Sequence, residues 1–386
     1  MNKFYISILI SVFLLLTLAG AAFAANADEI IEVPHIKIIM DSKLTKYTDV
    51  PISIKSNTLL PLRELLVNLG VPNDDEHIIY NSQEKSVTVI KDQTRIYLAA
   101  GNLTAYVNDQ PVKLNVAPVI YDKSGRTYIP LRFVAEALDM KVVWDGSVKA
   151  IFICEVEKFD SIKQILDRSD EAMKLAVKCR QTLDVDTTVK SGQTSMKIDI
   201  NAEAQIDKAQ KKLFLKMDIN MLGIEMKTDT YYLDNASYIL DPLSQKWQKV
   251  TYLPPEYDKL FASQSDTIVL EVNEPICAGL TQVPGNNPDE ILLTGDVYLN
   301  ELFKKVLTKQ ETVKSIVPKE DMEFDTFNIE ISLNSNTYLV NSILMNVGSV
   351  QTGDKETVTT NIGVNAQYSD YNGDFQIVVP EEVIKN

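Results

Sequence analysis

The sequence predicts an α+β protein in two parts: a duplicated small strand–helix–hairpin domain, then a long antiparallel β-sheet packed with helices. Three observations carry that expectation. Residues 58–69 and 127–138 repeat one another. Beyond Thr182 the hydrophobic spacing changes from near 3.6 to 2. Turn residues at Ser191-Gly192, Leu222-Gly223 and Asp234-Asn235 punctuate the alternating stretches.

The chain opens with Met1-Asn-Lys, an apolar run from Phe4 to Ala19, and the small-x-small site Ala22-Phe23-Ala24. That order is the pattern of a secretory signal peptide, placed here at 1–24, with the working chain beginning near Ala25. The run is short for a membrane span, which needs about 20 residues. No later segment is long and apolar enough to span, so no transmembrane segment is expected after cleavage. No Cys follows the cleavage site to take a lipid. The expected address is secreted or extracellular, associated with the cell envelope.

At 45% hydrophobic residues the chain has material for packed cores. A net charge of −15 argues against nucleic acid, which requires Lys/Arg-rich faces. Cys154, Cys179 and Cys277 are too few for a disulfide scaffold and have no metal-site spacing; buried free thiols are the expectation, with a Cys154–Cys179 bridge as the alternative.

In the repeat, Thr58-Leu-Leu-Pro-Leu-Arg-Glu-Leu-Leu-Val-Asn-Leu69 aligns with Thr127-Tyr-Ile-Pro-Leu-Arg-Phe-Val-Ala-Glu-Ala-Leu138. Pro61 and Pro130 are expected at the first helical position, where a missing N–H costs nothing. Leu62, Leu65, Leu66 and Leu69, then Leu131, Val134, Ala135 and Leu138, fall at i, i+3, i+4, i+7. Arg63 and Arg132 are read as ties from each helix start to a neighbouring strand or carboxylate, and Trp144 as a core anchor. Hairpins follow at Ile78–Tyr80 with Val87–Ile90, and at Val142–Trp144 with Ala150–Ile153; another, Thr104–Val107 with Val112–Leu114, precedes the second helix.

On Pro130-Leu131-Arg132, Ala135-Glu136-Ala137 and Val142-Val143-Trp144-Asp145, the segment from about Ile36 to Ile153 resembles the copper amine oxidase N-terminal-like domain, also called a stalk domain. The first copy departs from that pattern, with Tyr80 in place of the Trp and an acidic insertion at Val71–His77. The family is common on Gram-positive cell surfaces, so the resemblance implies an extracellular module. It does not import the oxidase chemistry. That chemistry needs three His on copper and a Tyr-derived quinone. The chain has only two His, His35 and His77, and no Asn-Tyr-Asp or Asn-Tyr-Glu sequence.

Past a charged connector at 155–160, apolar positions from Ile162 to Ala176 predict a helix running to about Thr182. Alternation then predicts strands through Met196–Ile200, Leu213–Ile219, Ile224–Thr228, Tyr238–Leu240 and Trp247–Val250, and later Phe327–Leu333, Tyr338–Val347, Thr357–Tyr368 and Phe375–Val379. Residues 252–320 break the pattern and are read as an irregular insertion, with a helix near Val297 to Leu307. The domain reading is therefore 28–154 (repeats at about 36–90 and 104–153), the connector, and 161–386 with that insertion.

The order helix, long meander, Tyr231–Tyr238, Trp247 and terminal Asp370–Pro380 resembles the LolA/LppX-like lipoprotein fold. That resemblance implies a curved antiparallel sheet, a half-barrel, closing partway round helices and an apolar cavity. Met196, Ile198, Leu215, Met217, Met226 and Tyr238 are the candidate ligand-lining residues; Met217, Met221, Met226, Met322 and Met345 together suit a pliable groove lining, with ordinary core filling as the alternative. No G-x-S-x-G, H-E-x-x-H or P-loop occurs, and no catalytic, cofactor or metal residues are assigned. The resulting expectation is a non-enzymatic envelope protein, a stalk-like domain presenting a β-rich binding domain to cell-wall or other envelope components. The alternative is a carrier or sensor of a lipid or other apolar ligand.

Overall fold

The structure, a computed structural model, describes residues 29–265, 272–296, 326–352 and 357–384. The signal segment, the helix expected near Val297 and Met322 lie outside the described residues. The fold is mostly β with few helices.

In chain order the strands are β1 (Ile31–Glu32), β2 (Lys37–Met40), β3 (Lys43–Thr45), β4 (Ile52–Ile54), β5 (Asn57–Pro61), β6 (Ile78–Asn81), β7 (Ser86–Lys91) and β8 (Thr94–Ala99). Then come β9 (Thr104–Val107), β10 (Gln110–Lys113), β11 (Val119–Tyr121), β12 (Arg126–Pro130), β13 (Met140–Asp145) and β14 (Ala150–Glu155). The meander comprises β15 (Lys178–Ser191), β16 (Thr194–Asp207), β17 (Lys212–Met221), β18 (Ile224–Leu233), β19 (Ala236–Leu240) and β20 (Trp247–Thr251). It resumes with β21 (Thr281–Val283), β22 (Glu290–Asp296), β23 (Thr326–Asn334), β24 (Val340–Thr352) and β25 (Thr357–Ser369). The helices are α1 (Leu62–Asn68), α2 (Leu131–Ala137), α3 (Val156–Leu175), α4 (Pro254–Ser265), α5 (Glu274–Gly279) and α6 (Glu381–Ile384).

Two compact units result. One holds the described residues through Ile36 plus Tyr47–Leu138; the other holds Lys37–Lys46 plus Asp139 onward. In the first, β5 and β12 pair antiparallel, Ile129 opposite Leu60, at the centre of the sheet β1-β4-β5-β12-β11. Each Pro-Leu-Arg step ends one of these strands and starts a helix. Pro61 and Pro130 sit one residue earlier than expected, as extended N-caps with ψ of 124° and 113°, because each still belongs to its ladder. The stripes Leu62/Leu65/Leu66/Leu69 and Leu131/Val134/Ala135/Leu138 are buried throughout. A second sheet, β10-β9-β8-β7-β6, completes this unit.

In the other unit, β13-β14-β2-β3 forms a small sheet in which β14 runs parallel to β2, Phe152 opposite Ile39. The second sheet has eleven strands in the order β20-β19-β18-β17-β16-β15-β25-β24-β23-β22-β21, and curls as a half-barrel. Helices α3 and α5 pack on β13 and β14 and share one core with the long sheet: Phe152, Phe159, Ile162, Leu166, Ile276, Ile329, Ile343 and Val364. Gly295 in β22 permits close approach to α5, since a Cβ there would lie 2.0 Å from the Gly279 carbonyl oxygen.

Several expectations are corrected by this unit. The charged segment 155–160 is no connector: Glu155 ends β14 and caps α3 directly, and the hairpin before it belongs to the same core as the long sheet. Helix α3 stops at Leu175, not Thr182, because β15 begins at Lys178; Leu175 itself is 78% exposed, and the buried stripe is Phe159, Ile162, Leu166, Ser169 and Met173. The segment 252–320 contributes α4, α5 and two sheet strands, so the described part of it is not an irregular insertion. Phe375–Val379 forms no strand and pairs in no ladder. Trp144 is 45% exposed rather than a core anchor, because it stands one pair from the hairpin turn after Asp145, beyond Val143, which fills the core.

The three cysteines are free and buried, each thiol pushed up to about 11 chiefly by burial. The unfolded chain sheds those protons first. Each thiol therefore weakens the fold as pH climbs from about 9 toward about 11. Native protein near pH 8 is expected to resist a thiol reagent and to titrate fully only in denaturant; prompt native labelling would contradict the buried placement.

Candidate apolar binding face

In an antiparallel ladder, residues directly opposite share a face and alternate along each strand. The registers Ile198–Met221, Ile200–Ile219, Ala202–Met217 and Ala204–Leu215 join β16 to β17. Met217–Thr228, Ile219–Met226 and Met221–Ile224 extend the same face into β18. On the other side, Val189–Met196, Thr187–Ile198 and Val185–Ile200 carry it into β15, and Val185–Val364 into β25. This is the face on which α3 packs, since Val185 and Val364 belong to its core.

Five of the six candidate lining residues thus share one face: Met196, Ile198, Leu215, Met217 and Met226. Tyr238 does not join them. The two-residue turn Asp234-Asn235 pairs Leu233 with Ala236, which puts Tyr238 opposite Tyr231, and Tyr231 opposite Phe214, on the reverse side. There Tyr238 packs with Tyr231, Leu233, Trp247 and the C-terminal Ile377, Val379 and Val383. Ile200 and Ile219 also belong to the apolar face, and counting register across each hairpin identifies them; Met221, one of the groove methionines, lies on it too.

Burial along this face is uneven. Ile198, Met217 and Ile219 are 2%, 8% and 6% exposed, Met196, Ile200, Leu215, Met221 and Met226 are half-buried, and Ile224 at the rim is 61% exposed. Helix α4 covers the opposite end of the strands, where Tyr257 and Phe261 pack on Cys179, Ile206, Leu213 and Tyr232. The Tyr257 hydroxyl donates to the Lys211 carbonyl at 2.7 Å, which fixes that helix, and burial raises its pKa. The half of the face under α3 is filled. The cavity there, between Leu166, Met173, Ile331 and Val340, is about 10 Å³, room for no more than one water. Met345 lies in that filled core.

Several polar side chains outside this face have local structural partners. Arg63 donates to Asn73 Oδ1 at 2.6 Å and Arg132 pairs with Glu136 at 3.5 Å, both exposed. Glu290 accepts from Ser332 at 2.5 Å, and that bond holds its carboxyl below the ordinary range. His77 contacts Asp74 at 2.7 Å. A hollow of about 440 Å³ on the exposed side of α3 is lined by Asp160, Lys163, Gln164, Asp167, Arg168 and Glu171, with Lys163 and Asp167 already paired. Among the described residues, no group of three or more His, Cys, Asp or Glu is placed to hold a metal ion, and no helix is long and apolar enough to cross a membrane.

Among solved structures, the chain is similar to LprF from Mycobacterium bovis, at 11% identity over 57% of this chain and 97% of that one, with a TM-score of 0.30. It is similar to the lipoprotein LppX of Mycobacterium tuberculosis at 10% identity, over 57% and 99%, with a TM-score of 0.29. It is also similar to a putative outer membrane lipoprotein-sorting protein domain from Vibrio parahaemolyticus at 8% identity, over 57% and 95%, with a TM-score of 0.20. At such identities and scores the likeness implies neither a ligand nor an activity. No curated protein matches the sequence. Residues 293–386 match a family of unknown function, DUF6612. Residues 39–153, which contain both Pro-Leu-Arg steps and the Trp144 hairpin, match the family model of the copper amine oxidase N-terminal domain.

Proposed function

We propose that this chain is a non-enzymatic envelope protein whose duplicated, stalk-like N-terminal segment accompanies a half-barrel that holds an apolar ligand, a lipid or a molecule of similar character. The observation that carries this reading is the in-register apolar strip of β16–β18. Met196, Ile198, Leu215, Met217 and Met226 share one face with Ile219 and Met221, and Met196, Leu215, Met221 and Met226 remain half-buried on it. An ordinary sheet core is buried to its ends. A strip that stays partly open, and is built largely from adaptable Met side chains, suits a variable apolar guest. Export is supported by the Met1–Ala24 pattern, and the N-terminal family match is in keeping with an envelope address.

The test is native mass spectrometry of protein recovered from the envelope or culture supernatant of its own host. The chain is expected to begin near Ala25 and to release an apolar small molecule on solvent extraction. Replacing half-buried Met226 with Asp should lose that molecule while the melting temperature stays within a few degrees, since a half-exposed site tolerates a charge better than a core does. Ligand-free protein that also binds no fluorescent fatty-acid probe would leave only the envelope-module part of the reading. Full-length chain confined to the cytosol would overturn the address.

A further inference from the structure

One row of the apolar face breaks its pattern. Ser349 of β24 stands opposite Thr360 of β25, and Thr360 opposite Val189 of β15, which leads on to Met196. Thr187, two residues before Val189, lies diagonally across from Thr360 on the same face. Opposed Cβ atoms are about 5 Å apart and diagonal neighbours roughly 7–8 Å, so three hydroxyl side chains on consecutive strands form one polar island. Around it stand Val347, Ile362, Val185 and Ile198. Ser349 and Thr360 are 1% and 3% exposed, whereas Thr187, Val189 and Met196 are half-buried, so the island opens toward the strip described above.

The Ser349 hydroxyl finds no hydrogen-bond partner among the described residues. Other buried serines have one: Ser42 accepts from Lys158 at 3.2 Å, Ser237 meets the Tyr252 hydroxyl at 3.0 Å and Ser332 donates to Glu290 at 2.5 Å. A hydroxyl that is both buried and unpaired weakens a fold, and an apolar side chain of similar size would pack there without that cost. Ser349 stands one row beyond Val347 and Ile362, both members of the filled core. Its oxygen is therefore placed at the boundary between that core and the open strip. Charge narrows what could meet it. The same-face positions of β15 to β18, of β25 and of residues 343–349 in β24 include no Asp, Glu, Lys or Arg. A carboxylate or phosphate brought there would be buried without a cation, a cost that hydroxyls do not offset.

We propose that Ser349, Thr360 and Thr187 form the polar subsite of the apolar face and bind the ester and hydroxyl groups of an uncharged lipid of acylglycerol type. A hydroxyl side chain can donate to an ester carbonyl and accept from a glycerol hydroxyl, while the acyl chain lies along Ile198, Ile219 and Met226. This inference rests on the apolar-ligand reading and adds the chemistry of the head.

The experiment titrates the full chain at pH 8 with three pyrene-labelled probes of equal chain length: a monoacylglycerol, the free fatty acid and the alkane. The acylglycerol is expected to bind most tightly. Ser349→Ala should weaken it about fivefold, as loss of one ordinary hydrogen bond does, leave the alkane unchanged and melt no lower than the parent. Thr360→Val, which keeps the shape and removes the hydroxyl, should also weaken the acylglycerol alone. Equal affinity for the three probes, or tightest binding of the free acid, overturns the proposal while the apolar-ligand reading stands. So does an acylglycerol affinity that Ser349→Ala leaves unchanged, or a lowered melting temperature for that variant, which would give the hydroxyl a partner within the fold. Failure of every probe to bind overturns the proposal and the apolar-ligand reading together.

Discussion

Replacing Phe152 with Ala is expected to destabilise the C-terminal unit by about 3–5 kcal/mol, the usual range for removing a fully buried Phe. Phe152 is 0% exposed. It stands opposite Val143 across β13–β14 and opposite Ile39 across β14–β2. Its core also holds Phe159, Ile162 and Leu166 of α3 and Ile329, Ile331 and Ile343 of the long sheet. Truncation leaves a void that three layers would have to close together, which rigid strands cannot do cheaply. Against a net stability of about 5–15 kcal/mol for a folded domain, the loss is a large fraction. Both tryptophans, Trp144 and Trp247, lie in this unit and none lies in the other, so intrinsic fluorescence in urea reads the affected transition alone. The midpoint should fall at unchanged slope. A loss below about 1 kcal/mol would mean that β14 is not part of the long sheet's core.

Local periodicity was legible in the sequence, whereas pairings between distant segments were not. The stripes after Pro61 and Pro130 are buried where their spacing places them, because a helix's apolar face is set by neighbours three and four residues away. The alternating strands hold for the same reason, and five of six candidate lining residues share a face. Tyr238 was misplaced because its face depends on parity across the Asp234-Asn235 turn, which has to be counted rather than read from composition. Helix α3 was drawn too long because Leu175 and Ala176 continue an apolar rhythm up to the start of β15, which pairs with β25 nearly two hundred residues away. Trp144 was assigned to the core by residue type, although its position at a hairpin end outweighs its hydrophobicity.

A chain cut to residues 161–386, the boundary that the charged segment suggests, is expected not to fold. The cut removes Ile39, Val143, Val148, Ala150, Phe152, Cys154 and Phe159, all members of the core shared with the long sheet. It also removes the parallel pairing of β14 with β2 and the docking of β3, where Leu44 N–H donates to Asp296 Oδ2 at 2.9 Å and Asp296 N–H donates to the Ser42 carbonyl at 2.8 Å. Val143, Val148, Phe152 and Phe159 alone each contribute about 1.5–3 kcal/mol of burial. Their joint loss approaches the whole net stability of about 5–15 kcal/mol, while the partners they leave behind on α3 and α5 become exposed apolar surface. The segment Lys37–Lys46 makes the point sharply: it precedes most of the first unit in sequence yet belongs to the second, so no single cut separates the two. Circular dichroism and urea titration of the fragment should show no cooperative transition, while the full chain shows one reported by Trp247. A fragment 161–386 that is soluble, monomeric and cooperatively unfolding, with Trp247 in its native near-ultraviolet environment, would show that the small sheet is an accessory and that the sequence boundary was right.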